Sequence, residues 1–162
     1  MKKVMILMGS DSDWSIMKKA AEILKEFGVE FEVHVSSAHR THSKTIGLVE
    51  KFDGACFIIG AGAAAHLAGV VAAHTVKPVI GVPINATSIQ GVDALYSTVQ
   101  MPSGIPVACM AVDGAKNAGL FALQIISVSD ADIREKLINS RKAMVDEVNR
   151  KDEKLQTLVK EI

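Results

Sequence analysis

EFEVHVSSAHRTHSKTIGLVEKF, residues 30–52, changes its periodicity once, and that change sets the expectation for the whole chain. Phe31, Val33 and Val35 alternate with Glu30, Glu32 and His34, the period of a strand with one buried face. Ile46, Val49 and Phe52 then recur at three-residue steps, which marks an amphipathic helix. Ser36 to His42, SSAHRTH, must therefore be a strand-to-helix turn, and it places a histidine and an arginine among hydroxyls at the end of a strand.

The same strand-then-helix unit repeats on either side. Val4 to Met8 is a continuous apolar run ending at Gly9, followed by Ser10, Asp11, Ser12 and Asp13 as caps. Ile16, Met17, Ala20, Leu24 and Phe27 mark the first helix, with Gly28 as its C-terminal stop. Ala55 to Ile59 read as a third strand ending at GAG, Gly60 to Gly62, before a helix of small residues from Ala63 to His74. A fourth strand holds Val79, Ile80 and Val82, and the irregular segment INATSIQG runs from Ile84 to Gly91. A short helix over Asp93 to Gln100, turn chemistry over Met101 to Pro106 and a fifth strand over Val107 to Val112 follow. Lys116 to Ile126 form a helix. Ser129 with Asp132 opens a final helix whose apolar stripe of Leu137, Met144, Val148, Leu155 and Val159 runs almost to the end.

Five such alternations predict an α/β fold: a flavodoxin-like three-layer α/β/α sandwich on a five-stranded parallel sheet, with a long C-terminal helix. No linker or repeat interrupts it, so residues 1–162 are expected to form a single domain. Residues 129–162 would be a helical extension packing on a neighbouring subunit, because the stripe beyond Val148 outruns the probable sheet. At 49% hydrophobic but only 4% aromatic, the core must be built from aliphatic and small side chains. Eighteen basic and eighteen acidic residues cancel, which leaves no global electrostatic footprint for nucleic acid. No segment is apolar for long enough to span a bilayer, and Cys56 and Cys109 inside apolar runs read as reduced thiols of a cytoplasmic protein.

In doubly wound sheets ligands bind outside the carboxyl ends of the strands, where strand order reverses. The loops beginning at Gly9, Ser36, Gly60 and Pro83 all leave from that edge. Taken alone, SDSD reads first as helix caps, although serine hydroxyls and N–H groups at a helix start also receive phosphate. GAG alone is weak, since it lacks the full GxGxxG dinucleotide fingerprint. His39 could simply brace its turn, but the adjoining Arg40 guanidinium suits phosphate oxygens, and an imidazole can both give and take a proton near neutral pH. His39 and His42, three apart with His34 nearby, lack a further ligand at metal-site spacing. His66, one turn past Gly62, could face the site; His74 reads as a capping or surface residue.

GSDSD at 9–13, SAHRT at 37–41, GAGAAAHLAG at 60–69, GVP at 81–83 and VQMPSGIPV at 99–107 together closely resemble the class I N5-carboxyaminoimidazole ribonucleotide mutases of purine biosynthesis. The resemblance runs in order to about Ile126. It implies a homo-octamer with sites between subunits. The implied reaction moves a carboxylate from the exocyclic nitrogen of the imidazole to ring carbon 4, without metal, ATP or organic cofactor. It makes His39 the general acid and base. Ser10, Asp13 and Arg40 would bind the ribose phosphate portion, with Ser12, Ser37 and Ala38 beside them, while Gly60, Ala61, Gly62, His66 and Leu67 would line the pocket for the base and the migrating carbon dioxide. Two positions depart from the family's wording: His42 stands where proline is usual, and INATS follows Pro83. A direct carboxylase using free carbon dioxide is the enzymatic alternative, although that class resembles SAHK followed by Gly rather than SAHRT. A non-catalytic nucleotide-binding module is the other.

Overall fold

The computed structural model describes residues 2–162. Strands β1 (Lys3–Met8), β2 (Glu30–Val35), β3 (Cys56–Gly62), β4 (Val79–Ile84) and β5 (Ala108–Cys109) form one sheet in the order β2-β1-β3-β4-β5. Every pairing is parallel. The order reverses between β1 and β3, so the chain leaves these adjacent strands in opposite directions and opens a crevice at their carboxyl ends.

Side-chain alternation assigns the two faces. Val4, Ile6, Met8 and Ile58 point into a core closed by α1 (Trp14–Glu26) and α5 (Ala115–Ser127), through Met17, Ala20, Leu24, Ala118 and Ala122. Met5, Leu7, Phe57 and Ile59 point the other way, onto Val49 and Phe52 of α2 (His42–Lys51) and its C-cap and onto Leu67 and Val71 of α3 (Leu67–Ala72). On this second face α4 (Val92–Val99) packs so closely on β4 that a side chain at Gly81 would meet Thr98 Cγ2 at 2.4 Å. Burying each large aliphatic side chain contributes about 1.5–3 kcal/mol, so these two apolar layers are the principal cohesive force of the fold. Gly28 ends the α1 segment at φ +74, a backbone angle that favours glycine.

Five expected boundaries shift, each for a local reason. β3 does not stop before GAG but runs through it, because Gly60 pairs with both Met8 and Val82 while Ala61 and Gly62 pair with Pro83 and Ile84. Pro83 is tolerated inside β4 because its face without an N–H looks past the end of β5, where its carbonyl accepts the Asp113 N–H at 2.9 Å. The helix expected over 63–74 shrinks to Leu67–Ala72, since Ala63 (φ 51) and Ala65 (φ 40) take left-handed backbone angles that no right-handed helix contains. β5 is two residues rather than six: after Met110 the chain bends to Asp113, itself at φ 58. Finally, Asp130 rather than Ser129 caps the last helix, accepting the Ile133 N–H at 3.1 Å.

That helix, α6 (Ala131–Val159), is 29 residues long, roughly 40 Å by its rise per residue. A six-residue strand spans only about 20 Å. Ile133 is its one buried residue, and from Arg141 onward every residue is exposed, including Met144, Val145, Val148, Leu155, Leu158 and Val159. Among the described residues no helix is long and apolar enough to cross a membrane.

Candidate active site

At the carboxyl edge the loop after β1 is a tightly self-bonded cap. The Ser10 N–H donates to Asp13 Oδ2 (3.1 Å), and the Ser12 N–H donates to Asp11 Oδ1 (3.0 Å) and, at 3.4 Å, to Ser10 Oγ. Ser12 Oγ donates to Ser10 Oγ at 2.9 Å. Donors that an incoming anion could use are thus already held by carboxylates, and a ligand must exchange for those bonds. Asp13 is 6% exposed, and burial pushes its carboxyl above the ordinary aspartate range, opposed by the Ser10 N–H.

The SSAHRT turn is wound on hydroxyls. The Thr41 N–H donates to the Ser37 carbonyl (3.0 Å), and the Ser37 N–H donates to Thr41 Oγ1 (2.8 Å). This single turn lifts His39 and Arg40 above the sheet edge. Arg40 then reaches across to β1: Nη2 donates to the Gly9 carbonyl at 3.1 Å and Nε to Ser37 Oγ at 3.3 Å. Two anchors fix the guanidinium plane over the Ser10–Asp13 cap.

The third loop returns sharply over β3. With Ala63 and Ala65 left-handed and the Ala65 N–H bonded to the Gly62 carbonyl (3.0 Å), His66 swings back to meet His39, Nδ1 to Nε2 at 2.8 Å. The rings meet edge to face. At this distance one ring nitrogen donates its N–H and the other accepts it through its lone pair. His42 turns away and sets its ring against His74, 6.2 Å between centroids.

These loops enclose a cavity of about 290 Å³. Ser10, Ser12, Asp13, Ser37, Ala38, His39, Arg40, Ala61, Gly62, His66 and Leu67 all line it. Gly60 stands back: a side chain there would strike Met17 at 2.5 Å, so its place is in the packing of β3 on α1. The fourth loop contributes only Ala86, a residue the sequence does not single out; its signal is the neighbouring glycine, since a side chain at Gly62 would lie 2.5 Å from Ala86 Cβ. A larger groove of about 1220 Å³ lies at the opposite, amino edge of β4, against Val76, Pro78 and Ile105. It lacks convergent chemistry, because Lys77 Nζ is taken by the Phe52 carbonyl and His74 Nδ1 meets the Val70 carbonyl, each at 2.8 Å.

The family model for AIR carboxylase matches residues 3–147, which span all five strands and every loop of this cavity. The chain belongs to the AIR carboxylase family. A relative in Methanocaldococcus jannaschii, an N5-carboxyaminoimidazole ribonucleotide mutase, is 50% identical over 97% of this chain and 99% of its own length. The mutase of that name in Escherichia coli K12 is 47% identical over 90% of this chain and 89% of its own. The crystal structure of Treponema denticola PurE superposes with a TM-score of 0.87 at 32% identity, over 94% of this chain and 98% of that one. The part of α6 beyond residue 147 falls outside the region that the family model matches, and all of its residues are exposed.

Proposed function

We propose that this chain is an N5-carboxyaminoimidazole ribonucleotide mutase and that His39 is its general acid and base. The observation that carries the reading is the His39–His66 pair, 2.8 Å apart at the mouth of a cavity walled by Ala61–Leu67 and flanked by Arg40. Arg40, with Ser10, Ser12 and Asp13 below it, receives the ribose phosphate portion of the substrate; Ser37 holds the guanidinium, and Ala38 leaves room beside the histidine. In the first half of the reaction the carbamate C–N bond breaks, its electron pair stays on nitrogen, and the proton that nitrogen takes comes from His39. Carbon dioxide then waits against the alanine walls and Leu67, where nothing hydrates it. In the second half carbon 4 attacks carbon dioxide, a C–C bond forms, and neutral His39 removes the carbon-4 proton. Protons balance, and the histidine ends as it began. His66 supports each state by exchanging donor and acceptor roles with His39, and a positioned acid–base group of this kind is worth about 10²–10⁴ in rate.

Turnover of substrate labelled at its carboxylate, in excess unlabelled bicarbonate, tests the reading. Label retained in the carbon-4 product is the expected result. Product without label would point to direct carboxylation, and no product to a binding module.

The same reading makes the protein a cytoplasmic homo-octamer, with residues 1–162 as one domain. His39, Arg40 and His66 are exposed in the single chain, so a site that must retain carbon dioxide needs a neighbouring subunit to close it. The bare apolar stripe on α6 offers a surface for such a neighbour. Val148→Glu should lower the mass seen by sedimentation while helix content stays the same; an unchanged mass would remove α6 from the assembly.

A further inference from the structure

Thr45, six residues beyond His39 in the first turn of α2, is not among the residues lining the cavity and is fully buried, yet it carries a hydroxyl where valine would have the same shape. Its surroundings account for that oxygen. Thr45 Oγ1 donates to the Thr41 carbonyl (3.3 Å), and Ser36 Oγ, 1% exposed, lies 2.8 Å from Thr45 Oγ1 and 3.2 Å from Thr41 Oγ1. Thr41 Oγ1 in turn accepts the Ser37 N–H at 2.8 Å and donates to the Ser37 carbonyl at 3.2 Å. Proton counting assigns the donors. With Thr45 committed to the Thr41 carbonyl and Thr41 to the Ser37 carbonyl, the one proton left is that of Ser36, which faces Thr45 Oγ1 at 2.8 Å and Thr41 Oγ1 at 3.2 Å and ties the two together. Three hydroxyls are satisfied with three protons, and the chain ends on the residue that closes the turn bearing His39.

A buried threonine bonding to the carbonyl four residues back is common in helices. A second buried hydroxyl seated on it and facing Thr41, the residue that closes the turn bearing His39, is an additional device. Arg40 keeps one anchor outside the turn, on the Gly9 carbonyl, whereas the backbone that carries His39 is set by the turn itself. The geometry points to Thr45, acting through Ser36 and Thr41, as a positioning residue that holds His39 at the distance proton transfer requires. This rests on the mutase reading for its kinetic consequence, but not for its structural one.

The test compares Thr45→Val, Thr45→Ser and Ser36→Ala in the full-length protein, by steady-state kinetics and by NMR of ¹³C-labelled histidine rings. Thr45→Val should lower kcat about tenfold or more, since small displacements of a reacting group have large kinetic effects. KM should change less than about threefold, because Arg40 keeps its bond to the Gly9 carbonyl. Thr45→Ser keeps the oxygen and should recover most of kcat, and Ser36→Ala should fall between. In Thr45→Val the ring signals of His39 and His66 should move while those of His34 do not. Unmoved His39 signals in both Thr45→Val and Ser36→Ala, or equal losses in Thr45→Ser and Thr45→Val, would overturn the inference. Should wild type fail to turn over the ribonucleotide, the mutase reading fails, and the ring signals alone decide the role of Thr45.

Discussion

The two edges of the sheet treat charge in opposite ways. At the amino edge acids meet lysines: Lys2 pairs with Asp130 and Lys3 with Glu32, and the Lys2 ammonium holds the Asp130 carboxyl below its usual range with help from the Ile133 N–H. At the carboxyl edge Asp13, as little exposed as Asp130, has no cation bonded to it among the described residues and is pushed up by burial. Two helix-starting aspartates thus lie on the two sides of the ordinary carboxylate range. One edge is arranged for stability; the other holds backbone strain, a crowded imidazole pair and a desolvated carboxylate in one crevice, where a ligand supplies the missing partner.

Four substitutions probe that contrast. The largest effect belongs to His39→Asn, which should lower kcat by about 10²–10⁴ while substrate still binds and the fold persists, since His39 is exposed and bonds only to His66 through its side chain. A variant retaining a tenth of wild-type turnover would remove His39 from proton transfer. Next, Arg40→Ala should weaken substrate binding by roughly ten- to a hundredfold, the range for a charged hydrogen bond to phosphate, with kcat much less affected. Equal affinity by calorimetry would assign the phosphate to other donors.

The two aspartates should then move stability in opposite directions. Folding disfavours the ionised form of Asp13, so its contribution improves as pH falls through its raised titration and is adverse at neutral pH. Asp13→Asn keeps an oxygen for the Ser10 N–H, and it should raise Tm at pH 7 while impairing turnover. A lower Tm would mean that the carboxylate is stabilising after all. Folding favours the ionised form of Asp130, so its contribution is present at neutral pH and lost as pH falls through its lowered titration. Asp130→Asn retains the cap and removes only the charge. It should give the smallest effect: a modest fall in Tm at pH 7 and a flatter decline in acid. An unchanged acid slope would show the pair with Lys2 to be neutral in net effect.

Much of this contrast could be read from residue order. The carboxyl edge is legible because the residues that line the crevice come directly after apolar runs, and strand periodicity places them without any contact being known. Capping is legible for Ser10 and Asp13 for the same local reason. What sequence leaves hidden is decided across the sheet. Gly60 looks like a pocket residue until its closeness to Met17 shows that α1 occupies the space. Ala63 to Ala65 have helical propensity, yet the need to reverse over β3 sets two of them left-handed, an outcome no alanine announces. Val107 to Val112 alternate well enough for a strand, but the bend at Asp113 ends the pairing after Cys109. Ser36 and Thr45 are nine residues apart and unremarkable until the strand end and the helix bring their oxygens within 2.8 Å.

The sheet's two outer strands carry a further consequence. β2, one border strand, carries Glu30, Glu32 and His34 together on one face, and β5, the other, pairs through two residues before the chain departs. Neither border offers a long, flat, apolar template onto which a foreign strand could add. Copies of this protein at high concentration should therefore resist cross-β aggregation from the native state, and any continuous sheet running between molecules is disfavoured by construction.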